Sequence, residues 1–297
     1  MHTLVVGAGF SGERIAKLAS DSGSVCGTRQ SQESVDQLQQ HGIQGLVLKV
    51  PGERFDLPEA PDERLAAQLH KVTHLVICVA PSREQPLYDP ILRLFGLPGQ
   101  ELPALEWVGY LSTIGVYGNH EGGWVNETTP CTSHQIRSIM RREAEVEWQR
   151  LAESWQVPLS ILRLSGIYGP GRNAVKDAIA GRARMLIKPQ QVFNRIHVDD
   201  LATVTMLCAH KRYAGILNIT DDVPAAPQDV ICFAHRLVGK PAPEAVAFDT
   251  ADISEMARSF YSENKRVSNE LSKKALSMQY MYPSYEQGLK AIWDAYQ

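Results

Sequence analysis

Short apolar runs and amphipathic stretches alternate along the first half of the chain. Residues 3–10 (TLVVGAGF) form an apolar run that ends in glycines, and residues 13–20 continue it with a helical pattern. A second helical pattern covers residues 32–41, and the clearest one covers residues 134–155. Further apolar runs predict strands between and beyond these helices: SVCGTR, GLVLKV, HLVICVA, LEWVGYLST and LSILRL. Strands that lack polar alternation and are joined by helices predict a parallel sheet covered on both faces.

The pattern becomes less regular after the segment IYGPGR. Turn signals such as DDVPAAP and GKPAPEA then interrupt the chain. The predicted fold is α/β, a doubly wound parallel Rossmann-like sheet with a smaller C-terminal lobe. We assign residues 1–169 to the sheet domain and residues 170–297 mainly to the lobe, with segments of the lobe returning to extend the sheet.

Composition narrows the class of protein. The chain has 297 residues, of which 44% are hydrophobic and 21% charged, as in an ordinary soluble globular protein. The formal net charge of -3 gives no reason to expect a nucleic acid or an anionic membrane as partner. The five cysteines are scattered without metal-ligand spacing, which predicts no metal site and a reducing compartment. With no signal peptide and no bilayer-spanning run, we expect a cytoplasmic protein.

The glycine-rich segment at the end of the first strand predicts a nucleotide site. Gly7, Gly9 and Gly12 form a GxGxxG motif at the mouth of the first helix, with Phe10 and Ser11 between them. The three glycines permit a tight turn, close approach of the backbone to a pyrophosphate, and close packing of helix on strand. The helix N-terminus offers N–H groups and a partial positive charge to the phosphates. We therefore predict that this loop binds a dinucleotide.

The end of the second strand distinguishes the two nicotinamide dinucleotides. NAD sites usually carry a carboxylate there, whereas this strand ends in Thr28 and Arg29 and the next carboxylate is Glu33. Arg29 can pair with a 2′-phosphate or can be a solvated surface side chain, and we favour NADP while NAD stays open. Val79 and Ala80, after the fourth strand, are expected at the same edge of the sheet and in the same cofactor site.

Four ordered motifs carry a resemblance to a known family. With the glycine loop, LSTIGVYG, RLSGIYGPGR and RIHVDDLA in this order, the chain resembles the extended short-chain dehydrogenase/reductase superfamily, and more narrowly the NAD-dependent epimerase/dehydratase family. The resemblance covers essentially the whole length. It implies an NAD(P)-dependent oxidoreductase or epimerase-like reaction on a carbonyl or nucleotide-sugar-like substrate, although many chemistries share this scaffold.

The resemblance implies a catalytic hydroxyl at Thr113, which would bond a substrate oxygen beside the carbon that exchanges hydride. A threonine that caps the strand end is the structural alternative. The family's dehydratases place Asp and Glu immediately after this residue, whereas this chain has Ile114 and Gly115. Sugar 4,6-dehydration is therefore not expected.

The family's catalytic Tyr-x-x-x-Lys is replaced. Counting back from Glu145 places Arg141 at the lysine position and Arg137 at the tyrosine position, whereas a shift of one residue gives Ser138 and Arg142. A guanidinium does not shuttle protons near neutral pH, but it can polarise a carbonyl or bind an anionic group. The alternative is a solvated basic helix face whose arginines pair with three nearby glutamates: Glu143, Glu145 and Glu147.

On the substrate side, the resemblance implies roles for Tyr168 and Arg172 in the loop after the sixth predicted strand, and for Arg195 as a phosphate-binding residue. The expected substrate is a small molecule, phosphorylated or nucleotide-linked. A homodimer through the long helix follows from the family by analogy. The second hypothesis is a non-catalytic NADP(H)-binding protein that senses redox state or binds a partner, and the replaced Tyr and Lys favour it.

Overall fold

The computed structural model describes residues 1–49, 63–82, 89–96 and 102–297. Two compact units divide the chain. Unit 1 comprises Met1–Val116, His134–Arg163 and Leu201–Leu217. Unit 2 comprises Tyr117–Ser133, Leu164–Asp200 and Asn218–Gln297, so the predicted boundary at residue 169 lies inside unit 2.

Strands occur throughout both units. They are β1 (His2–Val6), β2 (Ser24–Arg29), β3 (Gln44–Val47), β4 (His74–Ile77), β5 (Trp107–Thr113), β6 (Trp124–Val125), β7 (Leu159–Leu164), β8 (Gly166–Tyr168), β9 (Met185–Ile187), β10 (Arg195–His197), β11 (Gly215–Ile219), β12 (Ala245–Ala247) and β13 (Arg266–Val267). Seven of them form the central parallel sheet in the order β11-β7-β5-β4-β1-β2-β3. The remaining strands form three parallel pairs, β8 with β10, β9 with β12 and β6 with β13.

Helices connect these strands. They are α1 (Phe10–Ser20), α2 (Gln32–Gln40), α3 (Glu63–Leu69), α4 (Pro90–Phe95), α5 (Ile136–Trp155), α6 (Ala174–Ile179), α7 (Val198–Lys211), α8 (Pro227–Leu237), α9 (Glu255–Phe260), α10 (Glu270–Leu276) and α11 (Tyr285–Asp294), with 3-10 turns at Ile114–Tyr117 and Phe248–Thr250. Within the described ranges, every helix is too short or too polar to cross a membrane.

The predicted α/β fold class is confirmed. Each apolar run named above overlaps a strand of the central sheet. Strands buried on both faces need apolar side chains on both sides, and all of these strands except the edge strand β3 are mainly buried. The first helix begins at Phe10 rather than at residue 13, since the glycine loop passes directly into it. The long helix begins at Ile136 rather than at residue 134, and it ends at Trp155 as predicted.

The core of unit 1 lies between the central strands and the helices that cover them. Leu75 and Ile77 of β4 are fully buried, as is Val108 of β5. Tyr110 stacks on Trp148 of α5 with ring centroids 5.8 Å apart. This contact presses α5 against β5, and these two elements carry the residues at the predicted catalytic positions.

Unit 2 has a smaller core built from α6, α8 and α11. Val175, Ala234 and Leu289 are buried there, and Tyr168 at the end of β8 packs in the same cluster. The three short strand pairs join segments that are far apart in sequence, such as Trp124–Val125 with Arg266–Val267. Unit 2 is therefore held together mainly by contacts between distant segments of the chain.

Candidate functional site

The glycine loop makes a tight turn between β1 and α1. Gly7 has a φ of +86°, a conformation that L side chains rarely adopt. A Cβ atom at Gly7 would lie 2.7 Å from Cγ2 of Val79, so the loop and the end of β4 are in close contact. The Gly7 N–H donates to Oγ1 of Thr28 (2.9 Å), and the Ala8 N–H donates to the Thr28 carbonyl (2.8 Å). Thr28 thus holds the turn in place.

The other two glycines have different surroundings. A Cβ at Gly12 would lie 2.5 Å from the Gly7 carbonyl oxygen, so helix and loop could not pack this closely with any larger residue. A Cβ at Gly9 would meet no described atom within 4 Å. Gly9 is the N-cap of α1, and no side chain of the described residues caps this helix end. The free space at Gly9 and the uncapped N-terminus are the arrangement that a pyrophosphate requires.

The remaining predicted cofactor residues surround this loop. Phe10 and Ser11 open α1 and are half-buried. Val79 is half-buried after β4, and Ala80 beside it is exposed. All of them lie at the carboxyl edge of the sheet, which is where open α/β sheets bind their ligands.

Arg29 at the end of β2 forms an ion pair that the sequence did not predict. Its Nη2 lies 2.7 Å from a carboxylate oxygen of Glu13 in the first turn of α1. Glu13 also pairs with Nζ of Lys17 at 2.9 Å and with Nδ1 of His41 at 2.8 Å. Burial raises the pKa of the Glu13 carboxyl, but Lys17, His41 and Arg29 outweigh burial and hold that pKa below its ordinary value. Glu13 is therefore ionised at neutral pH.

The guanidinium of Arg29 retains further donors. Its Nε is buried and has no hydrogen-bond partner among the described residues. The side chain is 20% exposed and therefore lies partly at the surface. Because the contact with Glu13 occupies one nitrogen of a group with five N–H bonds, a further acceptor such as a phosphate oxygen fits the chemistry of this side chain.

Thr113 ends β5 and is half-buried. Its Oγ1 accepts a hydrogen bond from the N–H of Gly115 at 3.1 Å, which is the strand-end capping that the structural alternative describes. A hydroxyl that accepts can also donate, so this bond leaves the Thr113 hydroxyl hydrogen for another acceptor.

Arg141 lies against β5. Its Nη1 donates to the carbonyl oxygen of Leu111 at 2.7 Å, and its guanidinium lies over the Tyr110 ring, 5.6 Å from the centroid. Arg137, one turn earlier on α5, is half-buried, whereas Arg142 is exposed. The placement of Arg141 next to β5 favours the alignment in which Arg137 occupies the family's tyrosine position and Arg141 the lysine position.

The alternative that the charged side chains of α5 form a solvated face is wrong for Arg141 and Glu145. Arg141 is bonded to the strand, and Glu145 is buried rather than solvated. Glu145 accepts hydrogen bonds from Nε and Nη2 of Arg163 at 3.2 and 2.8 Å, and from the hydroxyl of Ser112. This buried cluster ties α5 to β5 and β7, next to Thr113.

In unit 2, the prediction of Tyr168 as a substrate-binding residue needs correction. Its side chain is buried in the core, and its hydroxyl donates to the Ser284 carbonyl at 3.4 Å. A Cβ at Gly288 would lie 2.0 Å from the Tyr168 hydroxyl oxygen, so α11 packs directly on this ring. Burial also raises the pKa of Tyr168. These contacts give Tyr168 a structural role.

The two predicted substrate arginines of unit 2 have different surroundings. Arg172 is exposed on a loop closed by hydrogen bonds between its backbone and that of Gly169. Nη1 of Arg195 donates to the carbonyls of Phe193 and Ala225 at 3.0 and 3.1 Å. Burial lowers the pKa of Arg195.

A buried carboxyl lies near Arg195 and was missed in the sequence. Asp221 is 1% exposed, and its Oδ2 has no hydrogen-bond partner among the described residues. Burial raises the pKa of Asp221 to about 8, against the opposing effects of the Val223 N–H and the Arg195 charge. No local pattern marks it, because the sequence DD at this position suggests a solvated turn.

Comparison with solved structures found close matches over the whole chain. A structure from Silicibacter pomeroyi, described as a functionally unknown conserved protein, is 39% identical, covers 100% of this chain and 99% of its own, and has a TM-score of 0.85. A structure from Methylobacillus flagellatus assigned to the NAD-dependent epimerase/dehydratases is 25% identical, covers 99% and 98%, and has a TM-score of 0.71. UDP-glucuronic acid 4-epimerase from Bacillus cereus, in complex with NAD, is 18% identical, covers 99% and 98%, and has a TM-score of 0.76. No protein-family model and no curated protein matches the chain.

The fold and the glycine loop thus define the class of protein. Its neighbours among solved structures are NAD-dependent epimerases and dehydratases, which are proteins of the extended short-chain dehydrogenase/reductase type, and the chain shares their fold. Within that class it belongs to one family with the Silicibacter pomeroyi protein. The predicted resemblance is confirmed.

Proposed function

We propose that the protein binds a nicotinamide dinucleotide at the glycine loop, with a preference for NADP(H). The observation that carries this proposal is the difference between the glycines, since Gly12 is closed by protein backbone whereas Gly9 borders free space beside an uncapped helix N-terminus. The fold relatives include an epimerase solved in complex with NAD, which supports the same class of cofactor.

The preference for NADP(H) rests on Arg29. An NAD site would offer a carboxylate to the ribose hydroxyls, and the nearest one here, Glu13, is already bonded to three basic side chains. Arg29 instead offers unused N–H donors at the end of β2, and its planar fork matches the geometry of a phosphate.

For the reaction, we propose hydride transfer between the cofactor and a carbonyl or nucleotide-sugar-like substrate. The bound dinucleotide would supply the hydride acceptor or donor. Thr113 would donate its hydroxyl hydrogen to a substrate oxygen, while Arg137 and Arg141 would bind the cofactor ribose, an anionic substrate group or a polarised carbonyl. The replaced Tyr-x-x-x-Lys makes the chain an atypical member of the superfamily, because proton transfer must use water or a group of the substrate.

The second candidate function is a non-catalytic protein that binds NADP(H) and responds to its redox state. The observation that favours it is Arg137 at the position of the family's catalytic tyrosine, because a guanidinium does not shuttle protons near neutral pH. Oxidation of NADPH by carbonyl compounds in a substrate screen supports the enzyme. Binding without turnover, with a partner affinity that differs between NADP and NADPH, supports the sensor.

Replacing Arg29 by alanine tests the cofactor preference. We expect NADPH to bind about 10- to 100-fold more weakly to the variant while NADH binding changes little, because only NADPH carries the phosphate that a charge-assisted hydrogen bond would hold. Calorimetric titration of both nucleotides into wild-type and variant protein measures this. Arg150→Ala removes a cation from an ion pair with Glu147 on the exposed face of α5 and is the matched control. Equal losses for both nucleotides would contradict the preference.

Alanine substitutions at Gly9 and Gly12 distinguish a glycine that is needed for ligand binding from a glycine that is needed for stability. We expect Gly9→Ala to leave the melting temperature nearly unchanged and to weaken NADPH binding at least tenfold, since its Cβ meets only the space that a pyrophosphate would occupy. Gly12→Ala should lower the free energy of unfolding by about 1–3 kcal/mol, because its Cβ overlaps the Gly7 carbonyl. Undiminished NADPH binding by Gly9→Ala would count against a dinucleotide at this loop.

A cytoplasmic location, a homodimer through α5, and a phosphorylated or nucleotide-linked substrate stay predictions from the sequence and the resemblance.

A further inference from the structure

Glu13 occupies an unusual position for a carboxylate in a site proposed to hold phosphates. It lies in the first turn of α1, directly after the last glycine of the loop. Its carboxylate contacts the one side chain, Arg29, on which the NADP preference rests. A negative charge here helps the helix end but repels any anion that approaches the same guanidinium.

We propose that Glu13 is a specificity-determining residue of the cofactor site: its charge weakens the attraction of Arg29 for a 2′-phosphate and so keeps the affinities for NADP(H) and NAD(H) close together. This inference rests on the proposed function. It concerns the balance between the two cofactors, whereas the Arg29→Ala test concerns the origin of the preference.

The distances support a direct electrostatic effect. An acceptor bonded to another N–H of Arg29 would lie within about 8 Å of the Glu13 carboxylate, since each hydrogen bond spans roughly 3 Å and the guanidinium is small. That separation is about one Debye length at physiological salt, so the repulsion is only partly screened. The side chains of Glu13 and Arg29 are 22% and 20% exposed, and partly buried charges are screened less than solvated ones.

The other two partners of Glu13 offset its charge only in part. Lys17 and His41 are more exposed than Arg29, with side chains that are 36% and 46% accessible. Water therefore screens the charge of Lys17 more strongly than that of Arg29. Glu13 thus keeps negative charge next to Arg29, while the Lys17 ammonium and the His41 imidazole lie nearer the solvent.

A competing role for Glu13 would be to position Arg29 for the phosphate. The two roles predict opposite results for one substitution. Glutamine keeps an amide oxygen that can accept a hydrogen bond from Arg29, so Glu13→Gln removes the charge and retains the acceptor. If the charge matters as proposed, NADPH binding tightens, and if Glu13 serves to position Arg29, NADPH binding weakens.

The experiment compares the ratio of the NADH and NADPH dissociation constants, measured by calorimetry, in wild-type protein and Glu13→Gln. We expect this ratio to rise about tenfold in the variant through tighter NADPH binding, with NADH affinity nearly unchanged. Asp21→Asn, at the opposite end of α1, removes the same charge far from Arg29 and should leave the ratio unchanged. Glu13→Ala is a second variant with the same charge change, in case the glutamine variant is unstable.

Each outcome of this measurement either supports or overturns the proposed role of Glu13. A ratio that is unchanged or lower in both Glu13 variants overturns the inference and leaves the proposed cofactor site intact. A similar rise in Asp21→Asn also overturns it, because the effect would then be one of net charge. Failure of wild-type protein to bind either nucleotide overturns the proposed function and this inference together.

Discussion

Replacing Glu145 by methionine is expected to lower the free energy of unfolding by about 3–5 kcal/mol, because it removes the carboxylate that pairs with the buried guanidinium of Arg163. The carboxylate accepts two hydrogen bonds from that guanidinium and one from Ser112. The variant therefore removes the acceptor of three buried hydrogen bonds at once. Urea unfolding followed by circular dichroism measures the loss.

A double-mutant cycle provides the control. Arg163→Met alone should destabilise the protein by a similar amount, since it leaves the Glu145 carboxylate buried and unpaired. The double variant, in which methionine replaces both residues, should recover most of the stability, because a pair of buried ions is often replaced by apolar side chains at little net change. Additive losses in the double variant would show that the two side chains do not act as a pair.

Stability should fall as pH rises from about 5 to 8, and Asp221 should account for part of the fall. An aspartate in the unfolded chain titrates near pH 3.9, about as in model peptides. In the folded protein burial raises the pKa of Asp221 to about 8. Between these values the folded state keeps a proton that the unfolded state has lost, so the free energy of unfolding decreases with pH by up to about 1.4 kcal/mol per pH unit.

Asp221→Asn removes this titration and isolates its effect. We expect the variant to lose less stability than wild-type protein between pH 5 and 8, with a difference on the order of 2–4 kcal/mol across this interval. Asp177→Asn is the matched control, because its carboxylate is more exposed and pairs with Arg182. Parallel pH profiles for wild-type protein and Asp221→Asn would mean that the Asp221 carboxyl is ionised in the folded state.

The central sheet and the glycine loop could be predicted from the sequence because both depend on local patterns. A strand that is buried on two faces can be recognised from a few consecutive apolar residues. For example, β2 spans the same six residues as the predicted run SVCGTR. The turn at Gly7 likewise follows from spacing within one motif. The family resemblance added the positions of Thr113, Arg137 and Arg141, which composition alone does not mark.

The polar contacts of the site could not be predicted, because they join residues that only the fold brings together. The Glu13–Lys17 pair has helical spacing and could have been found, but the pairing of Glu13 with Arg29 and His41 depends on how α1, β2 and α2 pack. Arg163 lies within an apolar strand pattern, and its partner is on another element. The resemblance implied that Tyr168 lies near the substrate, because the family's matching motif does. In the structure, the packing of α11 buries the Tyr168 hydroxyl.

The pairing of β6 with β13 has a consequence for the order in which the molecule can be completed during synthesis. All strands of the central sheet have left the ribosome once Ile219 has emerged, so the sheet can form before roughly the last quarter of the chain is made. Tyr117–Ser133 are made early but belong to unit 2, and β6 within them must wait for Arg266 and Val267. The nascent chain thus carries a complete central sheet while β6, which was made much earlier, still lacks its partner strand almost until termination.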